Sequence, residues 1–413
     1  MPQLATLLTQ IVVVLAASRL VGRVFRALHQ PQVVGEMVAG ILLGPSLLGW
    51  IAPRASASIF PPQSLGTLGL LSQVGLILFM FVVGMELDTH ALRGRRRTAL
   101  VTSNVSIVVP FALGVLLAVD LYPRLSDGGV RFLHFALFLG AAMSITAFPV
   151  LARILTERNL LRTEVGTVAI ACAAVDDASA WCILAAVVMV VRAASVATPL
   201  WLTLSGAVVY VLVMLLAVRP ALRGLAAAYR RRGDLTQPIV ATTLLLAFAS
   251  GWATERLGIH ALFGAFLMGA VMPRDSGLVR ALSDSLSRIT IVLFLPLFFA
   301  FNGLRTRIGL LSGRDAWLSC ALIIAVAIAG KCGGAAIAAR MTGMRWREAW
   351  ALGVLMNTRG LMELVILNVG LDVGVVSPTL FTMMVLMALV TTLMTTPLLD
   401  WIDAAGVRRS RTP

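Results

Sequence analysis

Residues 165–191 read VGTVAIACAAVDDASAWCILAAVVMVV, an apolar stretch interrupted only by the adjacent pair Asp176-Asp177. A run of this length exceeds the ~20 apolar residues that a helix needs to cross a bilayer. Its two acids therefore fall at membrane depth, where an uncompensated charge costs several kcal/mol, about 2.5–3.5 kcal/mol on insertion scales. A second run, Leu318–Ala339, holds Lys331, the only lysine among 34 Lys and Arg residues. One amine and two acids inside apolar segments point to a charge-compensated ion or proton site within a membrane. The plain alternative for all three is a polar bridge between helices.

Working outward, the rest of the chain has the same character. Hydrophobic residues make up 59% and charged residues 13%, about half the ~25% charge of a soluble domain. Apolar runs recur from end to end and are continuous, whereas a membrane β-barrel needs alternating segments of about ten residues. The reading is an all-α polytopic membrane protein with no separate soluble domain. The net charge of +15 lies in short loops without an aromatic-rich polar surface, which argues against nucleic acid as a partner. Cys172, Cys182, Cys320 and Cys332 all sit in apolar segments with no metal or redox spacing. The start, MPQLATLLTQ, has no basic stretch before its apolar run, so this run is read as a retained first helix. No phosphate-binding glycine loop or cofactor motif is present, so no cofactor and no enzymatic chemistry are expected.

Thirteen spans are predicted, at roughly 5–21, 33–52, 65–86, 98–119, 132–155, 165–191, 199–218, 235–254, 259–273, 284–303, 316–339, 348–371 and 375–402. With the N-terminus outside, 24 arginines fall in inner segments and eight in outer ones. That bias supports a cytoplasmic C-terminus in a cell inner (plasma) membrane. Two spans are interrupted. Ser144-Ile145-Thr146-Ala147-Phe148-Pro149 carries a proline that lacks a donor and clashes with the preceding turn, freeing carbonyls near hydroxyls. Met356-Asn357-Thr358-Arg359-Gly360 carries a charge and a glycine. These are the fifth and twelfth spans, which corresponding halves would place together. The expected organisation is a first inverted repeat over 1–191, a linker helix at 199–218, a second repeat over 235–402 and a short cytoplasmic tail at 403–413. Paired broken helices point to an ion site near the midplane.

Adjacent helical residues point about 100° apart, so Asp176 and Asp177 have different neighbours. A carboxylate is a hard oxygen ligand suited to an alkali cation and equally able to hold a proton. Occupancy by one excludes the other, which couples the two fluxes. Asp177 is read as the acid that alternates between proton and cation, and Asp176 as its partner and the counter-ion of Lys331. Thr146 and Ser144 complete the expected ligand set, with Pro149, Asn357, Thr358, Arg359 and Glu363 in support. Glu363 lies one turn beyond Arg359, in the less favourable Arg-to-Glu order. Arg359 is therefore read as neutralising helix-dipole ends where the broken helices cross. Glu36 and Glu86, near helix ends, are read as structural.

The stretches Ser144–Leu155 and Met356–Leu364, with the Asp176-Asp177 pair, resemble the membrane domain of monovalent cation:proton antiporters. Val33-Val34-Gly35-Glu36, Gly40–Ser46 and Phe81–Leu87 fit the same pattern. The branch is the second of the two large antiporter families, near the plant-type cation/proton exchangers. The resemblance covers essentially the whole chain. It implies thirteen helices with two crossed, unwound ones, ion binding at Asp177, a base at Lys331 and a homodimer in lipid. Its implied activity is exchange of Na⁺ or K⁺ for H⁺ by alternating access. A channel and a non-transporting sensor on the same scaffold are the competing readings. Plant-type members usually have Asn then Asp at the central pair. The Asp176-Asp177 order instead resembles electrogenic bacterial sodium/proton antiporters. Family members also often carry a long cytosolic regulatory tail, whereas this sequence ends at Pro413, so regulation through such a tail is not implied.

Overall fold

A computed structural model describes residues 3–86, 96–158, 160, 163–195, 200–257, 260–273 and 277–409. The described residues form helices and no strands. This follows from the solvent: in hydrocarbon every backbone N–H and C=O must be bonded internally, and a helix does so within one segment. In order, the helices are α1 Gln3–Ala27, α2 Gln32–Leu43, α3 Leu48–Ile51, α4 Pro53–Ile59, α5 Pro62–Glu86, α6 Arg96–Leu125 and α7 Phe132–Ser144. Then come α8 Phe148–Glu157, α9 Glu164–Ser195, α10 Leu200–Val213, α11 Arg219–Arg232, α12 Gln237–Arg256, α13 Ala261–Ala270 and α14 Leu278–Ile289. The chain continues with α15 Leu295–Arg305, α16 Arg314–Ile328, α17 Gly334–Met341, α18 Trp346–Met356, α19 Leu361–Asp372 and α20 Pro378–Arg409.

Among the described residues, nine stretches are long and apolar enough to cross a membrane, and α7 and α13 are shorter apolar helices. The four predicted spans without such a stretch have separate reasons. The fifth and twelfth are each split in two, into α7 with α8 and α18 with α19. The ninth is the ten-residue α13, and the eighth is α12, whose apolar stretch is diluted by Gln237, Pro238 and several Thr, Ser and Gly residues. Arg93, Arg95, Arg162, Arg274 and Arg411, used to orient the chain, lie outside the described residues. So do the side chains of Glu86, Pro149 and Arg153.

The chain divides into two compact units. One comprises Met1–Leu15, Phe60–Asp88 and Ala185–Phe301. Within it α5 and α13 touch backbone to backbone: a Cβ on Gly84 would lie 2.1 Å from the Phe266 carbonyl oxygen, and one on Gly269 would lie 2.1 Å from that of Phe81. Small residues at such crossings let helices pack where no hydrophobic effect drives them together. Polar bonds add to this. The Tyr210 hydroxyl is 2.5 Å from Ser250 Oγ, which donates to the Gly264 carbonyl at 2.7 Å.

The second unit comprises Ala16–Ile59, Thr89–Leu184 and Asn302–Pro413. It holds both broken helices, the acid pair and Lys331. Its apolar core joins α8, α9, α17 and α18 through Leu151, Leu155, Ala169, Ala335, Ala339, Leu352 and Leu355, all fully buried. Between α16 and α17, residues Ala329–Gly333 form a π-helical stretch. Such a one-residue excess re-aims side chains and recurs at functional sites. Gly330 and Gly334 face α6, where a Cβ would lie 3.0 Å and 3.3 Å from Leu113 and Val109, whereas Gly333 faces open space.

Candidate ion site

The interrupted spans have defined ends. Helix α7 stops at Ser144, and Ile145 is extended. Helix α8 then starts at Phe148, which puts Pro149 in its first turn. There the missing N–H has no intrahelical partner to lose, so the proline starts the second half-helix and does not itself break the first. Helix α18 stops at Met356, and α19 starts at Leu361. The two non-helical stretches are bonded to each other. The Ala147 amide donates to the Thr358 carbonyl at 2.9 Å. The Thr146 hydroxyl lies 2.9 Å from the Met356 carbonyl and 2.7 Å from Asp176 Oδ2. Its single proton serves one of these acceptors at a time. Thr358 Oγ1 turns back to the Leu355 carbonyl at 2.9 Å.

A broken helix leaves its last four carbonyls without intrahelical donors. In α7 all four are satisfied by side chains. Ser144 Oγ donates to the Ala141 carbonyl at 2.8 Å. Arg359 donates through Nη1 to the Ala142 carbonyl at 2.8 Å and through Nη2 to that of Met143 at 2.6 Å. Lys331 Nζ donates to the carbonyl of Ser144. Two buried cations thus sit on the negative end of one half-helix dipole. At the end of α7 the freed carbonyls are bonded by two fixed cations, Arg359, which the sequence suggests neutralises dipole ends at the crossing, and Lys331.

Lys331 is fully buried and has all three ammonium hydrogens committed. Besides Ser144, Nζ donates to the Ser106 carbonyl at 2.8 Å and to Asp176 Oδ2 at 2.9 Å. Asp176 also accepts from Ser103 Oγ at 2.6 Å, and Ser106 Oγ lies 3.3 Å from its Oδ2. The carboxylate is therefore paired with a cation and ringed by hydroxyls, the arrangement that lets an ion pair survive burial. Ser103 and Ser106 on α6 were not singled out from sequence. The available signal was two hydroxyls three residues apart, on one face of an otherwise apolar span.

Asp177 is placed differently. It is 2% exposed, it accepts from the backbone amide of Phe148 at the start of α8, and its Oδ1 is buried with no hydrogen-bond partner. Asn357 Oδ1, in the other break, is also buried without a partner. Of the expected ligand set, Asp176, Thr146 and Ser144 have their side-chain oxygens bonded to protein groups, and Asp177 keeps an open one. Thr392 on α20 was also missed: its hydroxyl accepts from the Arg359 amide and donates to the Arg359 carbonyl, each at 2.9 Å, bracing the second break. Glu363 is buried beside Arg359, its Oε2 at 3.8 Å from Nη1.

A family model described as "Sodium/hydrogen exchanger, transmembrane" matches residues 12–401. The chain is 45% identical over 398 residues to the Na(+)/H(+) antiporter NhaS4 of Synechocystis sp., covering 96% of each. It is 41% identical to Cation/H(+) antiporter 17 of Arabidopsis thaliana, over 96% of this chain and 48% of that one, so it spans about half the length of that plant relative. Among solved structures, the sodium proton antiporter MjNhaP1 of Methanocaldococcus jannaschii shares the fold, with a TM-score of 0.66, 15% identity and 98% coverage of both chains.

Proposed function

Because the chain belongs to the sodium/hydrogen exchanger family, we propose that Asp177 is the carboxylate at which a monovalent cation and a proton compete. The protein is a secondary antiporter exchanging such a cation, Na⁺ or K⁺, for H⁺ across a membrane. Family membership favours this over the channel and the non-transporting sensor. The observation that carries the assignment is the open, buried Oδ1 of Asp177 beside an Asp176 whose charge is already met by Lys331. An unpaired buried carboxylate is costly, and either a proton or a dehydrated cation removes the cost. Asn357 Oδ1 offers a second unpartnered oxygen from the facing break. Lys331, Arg359, Thr146 and Ser144 hold the framework by which the open oxygen is presented.

The unit containing both breaks is the core that carries the ion in alternating access. Residues 1–191 and 235–402 are the inverted repeats, with 199–218 as the linker. The test is exchange in proteoliposomes with Na⁺, K⁺ and Li⁺, recording internal pH and membrane potential together. An imposed cation gradient should move protons the other way. Current without a proton gradient, at rates far above a transporter's, would instead indicate a channel. One-for-one exchange moves no net charge, whereas a second proton released from Lys331 would appear as a potential.

The inner-membrane location, the outside N-terminus and the homodimer belong to the same reading. The arginine bias supports the orientation. A cysteine introduced near residue 405 should react with a membrane-impermeant thiol reagent only in inside-out vesicles, and cross-linking in native membranes should trap a dimer. Labelling from the outer face would reverse the topology.

A further inference from the structure

Three buried polar atoms without a hydrogen-bond partner cluster at one side-chain pair: Arg359 Nε, Glu363 Oε1 and Glu363 Oε2. Both side chains are at most 1% exposed. We propose that Glu363 is a second proton-binding group of the core and carries its proton in this conformation, as a neutral acid and not as the counter-ion of Arg359. The proposal concerns the core that holds the transport site, but it does not depend on Asp177 being that site.

The argument is geometric. A guanidinium and an ionised carboxylate in a low-dielectric interior attract strongly and close into a short, often two-pronged hydrogen bond. Arg359 and Glu363 share one turn of chain and are close enough to do so. Yet the nearest approach is 3.8 Å, and both terminal guanidinium nitrogens donate to the Ala142 and Met143 carbonyls of α7. The arginine thus prefers the half-charge of a helix end to the acid, which is the choice expected if the acid is neutral. Among the described residues no other donor serves Glu363: both its oxygens lack partners.

Among the described residues, two charged groups face Glu363. One is Arg359, just before α19, and the other is Lys331 in the π-helical stretch, its ammonium committed to Asp176 and two carbonyls. Helices α7 and α20 also pack on α19. On α7 the only titratable residue is His134, eight positions before Ala142. On α20 the first charged residue is Asp400, eight positions beyond Thr392. Neither lies at the level of the pair.

The arrangement has an alternative. Loss of the proton would draw Arg359 towards Glu363, where Nε and both carboxylate oxygens would find partners, and would strip the Ala142 and Met143 carbonyls of theirs. The proton on Glu363 therefore decides which half-helix Arg359 holds.

The test is the infrared spectrum of the purified protein in lipid at neutral pH. A protonated-carboxyl C=O band should be present in Asp177→Asn, where Asp177 itself cannot contribute one, and lost in the double variant Asp177→Asn with Glu363→Gln. The Gln variant should fold, because its amide has the shape of the neutral acid. Retention of the band in the double variant, or loss of ionised-carboxylate bands in its place, would overturn the proposal. A Gln variant that fails to fold would also count against it. The spectrum is read without transport, so an Asp177→Asn protein that still exchanges ions would defeat the transport assignment and leave this result standing.

Discussion

Asp177→Asn should reduce cation-driven proton movement to the background of empty proteoliposomes, a loss of at least ~100-fold, or about 3 kcal/mol of barrier at 1.36 kcal/mol per tenfold. The substitution changes almost nothing but charge. Asn fits the same space on α9, and its side-chain oxygen can still accept from the Phe148 amide that Asp177 meets. What it cannot do is supply a full negative charge to a dehydrated cation, or take up and release a proton. Stability should therefore move little, and in the direction of a gain, because the open buried Oδ1 no longer belongs to an ion. Asp176 cannot substitute: Lys331, Ser103 and Thr146 occupy its oxygens. Exchange by Asp177→Asn at more than a tenth of the wild-type rate would remove Asp177 from the site. Loss of activity together with loss of the folded protein would assign it a structural role instead.

Lys331→Ala should act mainly on the fold. Removing the ammonium leaves the Asp176 carboxylate with hydroxyl donors only and takes the donors from the Ser106 and Ser144 carbonyls. Breaking one side of a buried ion pair costs about 3–5 kcal/mol, and here the broken brace joins α6, α7, α9 and the π-helical stretch before α17. The thermal midpoint in detergent should drop markedly and expression should fall with it. The double variant Lys331→Met with Asp176→Asn removes both charges and should recover a large part of the loss, since the penalty is for the orphaned charge and not for the missing pair. Additive losses in the double variant would show that the two residues do not act as a unit. If Lys331→Ala is as stable as the wild type, the ammonium is not the brace its three bonds describe.

Much of this molecule could be read from its residues in order. Long, continuous apolar runs such as Val165–Val191 read as helices in a bilayer, because the other structure that bonds its own backbone there, a closed barrel, needs alternating segments of about ten residues. Ser144–Pro149 and Met356–Gly360 announced broken helices, since a proline, a glycine and a charge are poorly accommodated mid-span. The pair Asp176-Asp177 and the solitary Lys331 stood out because charge at membrane depth is expensive. The boundaries were less legible. Pro149 marked its break correctly but sits on the far side of it, in the first turn of α8, a distinction that depends on how α7 ends.

The sequence alone determined the class of protein, the depth of its charges and where its helices break, because hydropathy and backbone donors are properties of a local stretch. Only the tertiary structure decided which charge meets which partner. It sent Arg359 to carbonyls more than two hundred positions away at Ala142 and Met143, brought Ser103 and Ser106 of α6 to Asp176, and left Asp177 with a free oxygen. A hydrogen bond is made or lost within a few tenths of an ångström, and the order of residues in the chain fixes no distance between helices.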